Sequence, residues 1–475
     1  MSDVTRRHIL RTASMLGAYG AAPFAMNLLP FNALAASTTG YRAIVCVFLF
    51  GGMDCHDTVL PYDGPSYSAY TNIRRTLMNE YNGLAGGSSR TQARLLALNP
   101  SNAAALGGRQ FALPEALGPL QALFSQGQAA IVGNVGPLIE PMNRTSYQQN
   151  RARAPQRLFS HNDQQATWMV SSPRESRFGW GGRLADMAIA SGANSRAAFT
   201  AISVAGNVNF LVGQTATSFA LGSGGPSEIG VIDRTSLYGS PILPARIAET
   251  VQDAAGRRRN LIERDVASVH RASIALNRDL ETALSSQAPL TTVFPAGNGL
   301  ASQLQTVARM IAARSTLGLS RQIFFVSTGG YDTHSAQAQS LTGLHTTLST
   351  AIRAFYDATV ELGVQNDVTL FTASDFGRTL AVNGDGTDHG WGAHHFVVGG
   401  SVNGNRILGE MPPAAISHDQ DSGNGRLIPV VAVEQLAGSL GQWFGLTTAE
   451  LQSALPNIVN FPSPTIDLFL PGAVA

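Results

Sequence analysis

Two cysteines in 475 residues exclude a disulfide framework. Cys46 lies in an apolar, strand-like run and Cys55 in the Gly-rich loop after it, so at most one bridge could form, and that is not the favoured reading. Charge is scarce too: 32 basic and 31 acidic residues leave a formal net charge of +1, with 13% of side chains charged. That balance shows neither a nucleic-acid footprint nor a polybasic membrane patch, so a nucleic-acid partner is not expected. A clean membrane span is lacking as well, because the apolar stretch near the N-terminus is interrupted by Gly17, Gly20, Pro23, Asn27, Pro30 and Asn32. No stable membrane anchor is expected. Internal repeats are not evident.

What the N-terminus does hold is Thr5-Arg6-Arg7-His8-Ile9-Leu10-Arg11, an uncharged apolar run, and Ala33-Leu34-Ala35. These are the three parts of a secretory signal, and the paired arginines fit the twin-arginine pattern, which a translocase receptor reads as an address. Residues 1–36 are therefore expected to be a signal peptide and the mature protein to be periplasmic or secreted. Export of folded cargo permits a metal to be loaded beforehand.

The remaining chain, about 440 residues, can bury a sizeable core. Residues 37–475 are read as one domain with an irregular insertion at 213–244, rich in Gly, Ser and Thr. Short apolar runs bounded by turn residues, at 43–50, 129–135, 198–204, 322–327, 367–373 and 395–399, predict buried strands. Leu344, Leu348, Ile352, Phe355, Tyr356 and Leu362 recur at helical spacing and predict a crossover helix, and residues 433–444 a late amphipathic helix. The pattern is α/β with a mostly parallel sheet between helices.

Ligands of such sheets bind where loops leave the carboxyl ends of strands, and polar residues gather in those loops. Gly51-Gly52-Met53-Asp54-Cys55-His56-Asp57 follows one run, Gly329-Gly330-Tyr331-Asp332-Thr333-His334 another, and Ser374-Asp375-Phe376-Gly377-Arg378 a third. A further window, residues 386–395, carries Asp388, His389, His394 and His395. Carboxylates and imidazoles suit divalent cations. Asp54, Asp332, His334, Asp375, Asp388 and His389 would suffice for one or two ions (Zn, Mn, Mg or Ca), with Arg378 suited to a tetrahedral oxyanion. His394 and His395 cannot both face one site from a strand. Ser160 begins a helix-like segment, where it is a candidate nucleophile or an ordinary N-cap, and His161 a ligand, general acid or first-turn polar residue. Each residue alone also fits a turn, cap or structural ion pair.

Those windows, together with Phe159-Ser160-His161, Gly179-Trp180-Gly181-Gly182-Arg183 and Gly386-Thr387-Asp388-His389-Gly390, resemble a family of exported bacterial proteins known as domain of unknown function 1501. The resemblance runs from about Tyr41 to the Trp443-Phe444-Gly445 region. It implies an alkaline phosphatase/sulfatase-like fold and metal-assisted hydrolysis of phosphate or sulfate esters, of a small molecule or a glycan. Asp54 resembles that superfamily's first-strand metal aspartate, Asp332 and His334 its Asp and His pair, Asp375 its next metal carboxylate and His389 its late metal histidine. Two departures stand out: Asp332 and His334 lie closer together than the usual pair, and Phe376 stands where a histidine is usual. The expectation is a metal-dependent hydrolase; the alternatives are a non-catalytic metal- or ligand-binding envelope protein on the same scaffold, or a structural scaffold without metal.

Overall fold

A computed structural model describes residues 39–171, 177–253 and 256–474. The expected signal segment, residues 1–36, lies outside them. Fourteen strands occur among the described residues: β1 (Arg42–Leu49), β2 (Leu60–Pro61), β3 (Leu96–Leu98), β4 (Phe111–Leu113), β5 (Ala129–Gly136), β6 (Ala201–Ser203), β7 (Phe219–Ala220), β8 (Arg321–Thr328), β9 (Val368–Ser374), β10 (Arg378–Val382), β11 (Thr387–His389), β12 (Ala393–Val398), β13 (Ile407–Gly409) and β14 (Val431–Ala432). The helices that matter most here are α1 (Gly64–Ile73), α2 (His161–Val170), α3 (Gly299–Ala312), α4 (Gln337–Glu361) and α5 (Val433–Phe444).

Nine strands form one sheet in the order β13-β5-β12-β9-β1-β8-β6-β7, with β14 also on β5. All pairings are parallel except those of β12, which runs antiparallel to both β5 and β9. The fold is thus α/β with a large, mostly parallel central sheet flanked by helices. The expected strands are present, although the run at 198–204 spends its first residues on a 3-10 turn and pairs only from Ala201.

Strand β1 explains the layering. Val45, Val47 and Leu49 face one core cluster, where α3 and α4 supply Leu304, Val307, Leu348 and Ile352. Ile44, Cys46 and Phe48 alternate to the other face, covered by Trp168, Trp180, Leu436 and Leu440. A strand buried on both faces must be apolar throughout, as this one is. Each fully buried Leu, Ile, Val or Phe contributes about 1.5–3 kcal/mol, so a change on either face of β1 is felt by a whole layer. Both cysteines are buried and free. Among the described residues no helix is long and apolar enough to cross a membrane. Every basic side chain of the sequence is arginine, and four of them, Arg74, Arg90, Arg321 and Arg378, are among the largest fully buried groups.

Helix α5 carries one costly group. Glu434 is buried in its first turn, with Oε2 lacking a partner and Oε1 accepting only from Asn457 at 3.4 Å. Burial pushes its carboxyl up to about 7. Between its unfolded value of 4.5 and about 7 the folded chain retains a proton that the unfolded chain has lost, so stability falls as pH rises through that window. Glu434→Gln should remove the dependence: chemical denaturation should show a gain on the order of 2–3 kcal/mol at pH 8 and almost none at pH 4.

Candidate metal site at the carboxyl edge of the sheet

Strands β8 and β9 flank β1 on its two sides, so the loops that leave all three emerge side by side. Gly51 holds this crossing tight. Its φ of +117° disfavours any other residue, and a Cβ there would lie 2.3 Å from the backbone nitrogen of Asp332. On the opposite side of the same loop Gly386 abuts the His334 carbonyl carbon, which a Cβ would approach to 2.3 Å. The glycines therefore let three backbone segments meet where larger residues would hold them apart. The short hairpin of β10 and β11 brings Arg378 opposite His389.

Three imidazoles and one carboxylate converge there. Asp332 Oδ1 lies 3.1 Å from His389 Nε2 and 3.2 Å from His334 Nε2, and its Oδ2 lies 3.4 Å from His161 Nε2. The Nε2 atoms of His334 and His389 are 2.8 Å apart. Candidate ligand atoms of His161, Asp332 and His389 all lie within 4.8 Å of one another. Two ligand nitrogens on one tetrahedral Zn²⁺ are separated by about 3.3 Å, which is the scale of these contacts.

The far nitrogens of two of the rings are held by oxygen, and that of the third faces a more distant carboxylate. His161 Nδ1 lies 2.7 Å from Asp375 Oδ2, His389 Nδ1 lies 2.7 Å from the Phe159 carbonyl, and His334 Nδ1 lies 3.5 Å from Asp388 Oδ1. In a neutral ring an oxygen acceptor at hydrogen-bond distance places the proton on Nδ1, which leaves the Nε2 lone pairs of His161 and His389 pointing inward; this is how metal-ligating histidines are ordinarily oriented. Phe159 sits at φ +72°, a left-handed conformation costly for an aromatic residue, and from there its carbonyl reaches His389. Burial, with Arg378 and His161 nearby, holds His389 below the usual imidazole range. Burial would raise Asp332, but hydrogen bonding and charge from Arg378, then His334 and His161, leave it below the usual carboxylate range. Asp332, Asp375 and Asp388 against Arg378 give the cluster an excess of negative charge, which favours a cation.

Other expected site residues are placed differently. Asp54 does not join the cluster. It is fully buried in an ion pair, where Arg74 donates to Oδ2 at 2.7 Å and to Oδ1 at 3.2 Å and Gln337 Nε2 donates to Oδ2 at 2.7 Å, so its oxygens are already committed. Asp57 shares that arrangement through Arg74 at 2.8 Å and the Tyr70 hydroxyl. Asp375 orients His161 from behind, and Asp388 lies 3.5 Å behind His334. Arg378 is not free to clamp an anion: it donates to Asp332, to the Gly51 carbonyl at 3.2 Å, and to both oxygens of Thr387. Ser160 is the N-cap of α2, and its hydroxyl donates to Asp163 at 2.8 Å. His394 and His395 are both buried in β12, where Nδ1 of His394 accepts from the Asn134 amide and Nδ1 of His395 faces Thr372; burial lowers each ring to about 3.

Three neighbours were not foreseen. Gln165 donates to Asp375 Oδ2 at 2.8 Å, and its place four residues after His161, on the same face of α2, was the available signal. Phe376, standing where a histidine was expected, packs its ring 4.8 Å from His161 and 4.6 Å from His389. Gln337 had no signal in sequence, being one polar residue at the start of an amphipathic helix.

Comparison with known proteins gives a family match over part of the chain and little else. A family described as "Protein of unknown function (DUF1501)" matches residues 245–449. No curated protein matches the chain. A solved structure described as Ps i-CgsB in complex with k-i-k-neocarrahexaose aligns over 90% of this chain and 78% of its own, with 9% identity and a TM-score of 0.33.

The buried position of Asp54 gives a direct expectation. Arg74→Met leaves two aspartates without their counter-charge and should cost about 3–5 kcal/mol in urea denaturation, the range for breaking a buried ion pair. A loss below about 1 kcal/mol, the size of a surface pair, would mean that these carboxylates are solvated.

Proposed function

We propose that this protein is an exported, metal-dependent hydrolase of phosphate or sulfate esters on an alkaline phosphatase/sulfatase-like scaffold, with one divalent cation held by His161, Asp332, His334 and His389. The observation that carries this reading is that His161 and His389, whose Nε2 atoms face Asp332, each have Nδ1 held by oxygen. A histidine cluster kept only for packing has no need of two such anchors. With three imidazoles to one carboxylate, the donor set suits Zn²⁺ over Mg²⁺ or Ca²⁺. The commitment of Asp54 to Arg74 argues for one ion instead of two.

A divalent cation so held supplies charge for an ester oxygen and lowers the pKa of water. The chain's own residues do the positioning. Arg378 fixes Asp332 through Oδ1 at 2.7 Å, Asp375 and the Phe159 carbonyl fix two rings, and the Phe376 ring excludes water from their faces. Asp388 is half-exposed and bonded to Asn383 at 2.9 Å, at the solvent end of His334, where it can receive a proton. With its hydroxyl turned to Asp163, Ser160 is not assigned the nucleophile. Water is the attacking group in this reading.

One observation favours a second reading, a metal-binding envelope protein without turnover: the guanidinium expected to balance an oxyanion is fully buried and spends four of its five N–H groups inside the protein. Metal analysis and hydrolysis of aryl phosphate and aryl sulfate esters separate the two. The hydrolase reading expects about one Zn²⁺ per chain, zinc-dependent turnover, and at least about 100-fold weaker binding in His389→Ala. Stoichiometric zinc with neither ester cleaved leaves the binding protein; absence of zinc uptake removes both. Export by the twin-arginine route expects Arg6→Lys with Arg7→Lys to retain the protein in the cytoplasm, scored by cell fractionation.

A further inference from the structure

The buried ion pair and the candidate metal site are connected through one side chain. Gln337, the first residue of α4, is fully buried and uses all four hydrogen-bonding positions of its amide. Its Nε2 donates to Asp54 Oδ2 at 2.7 Å and to Asp57 Oδ2 at 2.8 Å. Its Oε1 accepts from the hydroxyls of Thr387 at 2.7 Å and Thr333 at 3.0 Å. Carboxylates only accept, so the amide can face just one way. That orientation sets the next link. With its proton given to Gln337, Thr387 Oγ1 offers a lone pair to Arg378 Nε at 3.2 Å, and the Thr387 carbonyl accepts from the same guanidinium. Arg378 then places Nη1 on Asp332 Oδ1 at 2.7 Å.

We infer that Gln337 is a positioning residue for the cation site, setting Asp332 through Thr387 and Arg378 without touching the ion; this rests on the metal reading above. The directions of the amide and hydroxyl bonds follow from the two buried aspartates at the far end, and Arg378, which only donates, meets the lone pair they leave on Thr387. Asp54, expected as a ligand, thus acts on the site as the charge that orients Gln337. Thr333 adds a second tie, since it lies between Asp332 and His334 and donates to the same amide oxygen.

The test uses the full chain with Gln337→Met, Thr387→Val and Thr387→Ser, each checked for folding by thermal melting. Two quantities are read: Zn²⁺ affinity by competition with a chelator, and, in metal-free protein labelled with ¹⁵N-arginine, solvent exchange of the Arg378 Nε–H, assigned by its loss in Arg378→Lys. Gln337→Met and Thr387→Val should bind Zn²⁺ about 10- to 100-fold more weakly, the range for loss of a group behind a ligand. Their Arg378 Nε–H should exchange about tenfold faster or more, since opening is no longer opposed by Thr387. Thr387→Ser keeps the hydroxyl and should restore both. Folded variants with unaltered affinity and exchange overturn the inference. If Gln337→Met fails to fold, the Thr387 pair decides it. If the unaltered chain takes up no Zn²⁺, the metal reading falls, and the Arg378 exchange still decides the role of Gln337.

Discussion

An imidazole ring can aim one nitrogen only when the other is held, and the carboxyl edge of this sheet is organised around that constraint. Asp375 holds His161, the Phe159 carbonyl holds His389, and Asp388 lies 3.5 Å from His334 Nδ1. None of these oxygens adjoins its own histidine in sequence: Asp388 is next to His389 but faces His334. The fold therefore has to bring α2, the loop after β8, the loop after β9 and the β10–β11 hairpin into register before any one ring is fixed. Gly51 and Gly386 permit that register by letting backbones touch.

Behind this layer lies a second one with no solvent contact. Asp54, Asp57 and Arg74 form a closed set of charges under the loop that leaves β1, with Tyr70 and Gln337 completing it. Such sets contribute little net stability compared with an apolar replacement, yet removal of one member is severe. Their value here is directional. Two fixed anions dictate which way an amide and a hydroxyl point, and the guanidinium that meets that hydroxyl rests on Asp332.

The sheet was legible because its signal is local: largely apolar runs such as 43–50 and 322–327, short and bounded by turn residues, read as strands buried on both faces, and the Leu344–Leu362 stripe as a helix that covers the sheet. The windows rich in Asp and His were legible for a related reason, since polar residues at strand ends have one edge to occupy. Allocation among those residues was not. Asp54 and Asp332 look alike in sequence, each following a Gly-Gly pair, and only the arrival of Arg74 from the end of α1 makes one a buried counter-ion and the other a half-exposed donor. Phe376 likewise read as a missing ligand, whereas in three dimensions it is the wall against which two rings pack. Distinctions of this kind depend on partners that the local sequence does not name, 20 positions away for Asp54 and Arg74 and 214 for His161 and Asp375.

That separation has a consequence for assembly. Loops of such length close late and at an entropic cost that only a finished core can offset. A pocket stitched from residues 159–161, 332–334 and 375–389 therefore cannot mature piecemeal, and occupancy by an ion would certify that these segments have all closed on one another.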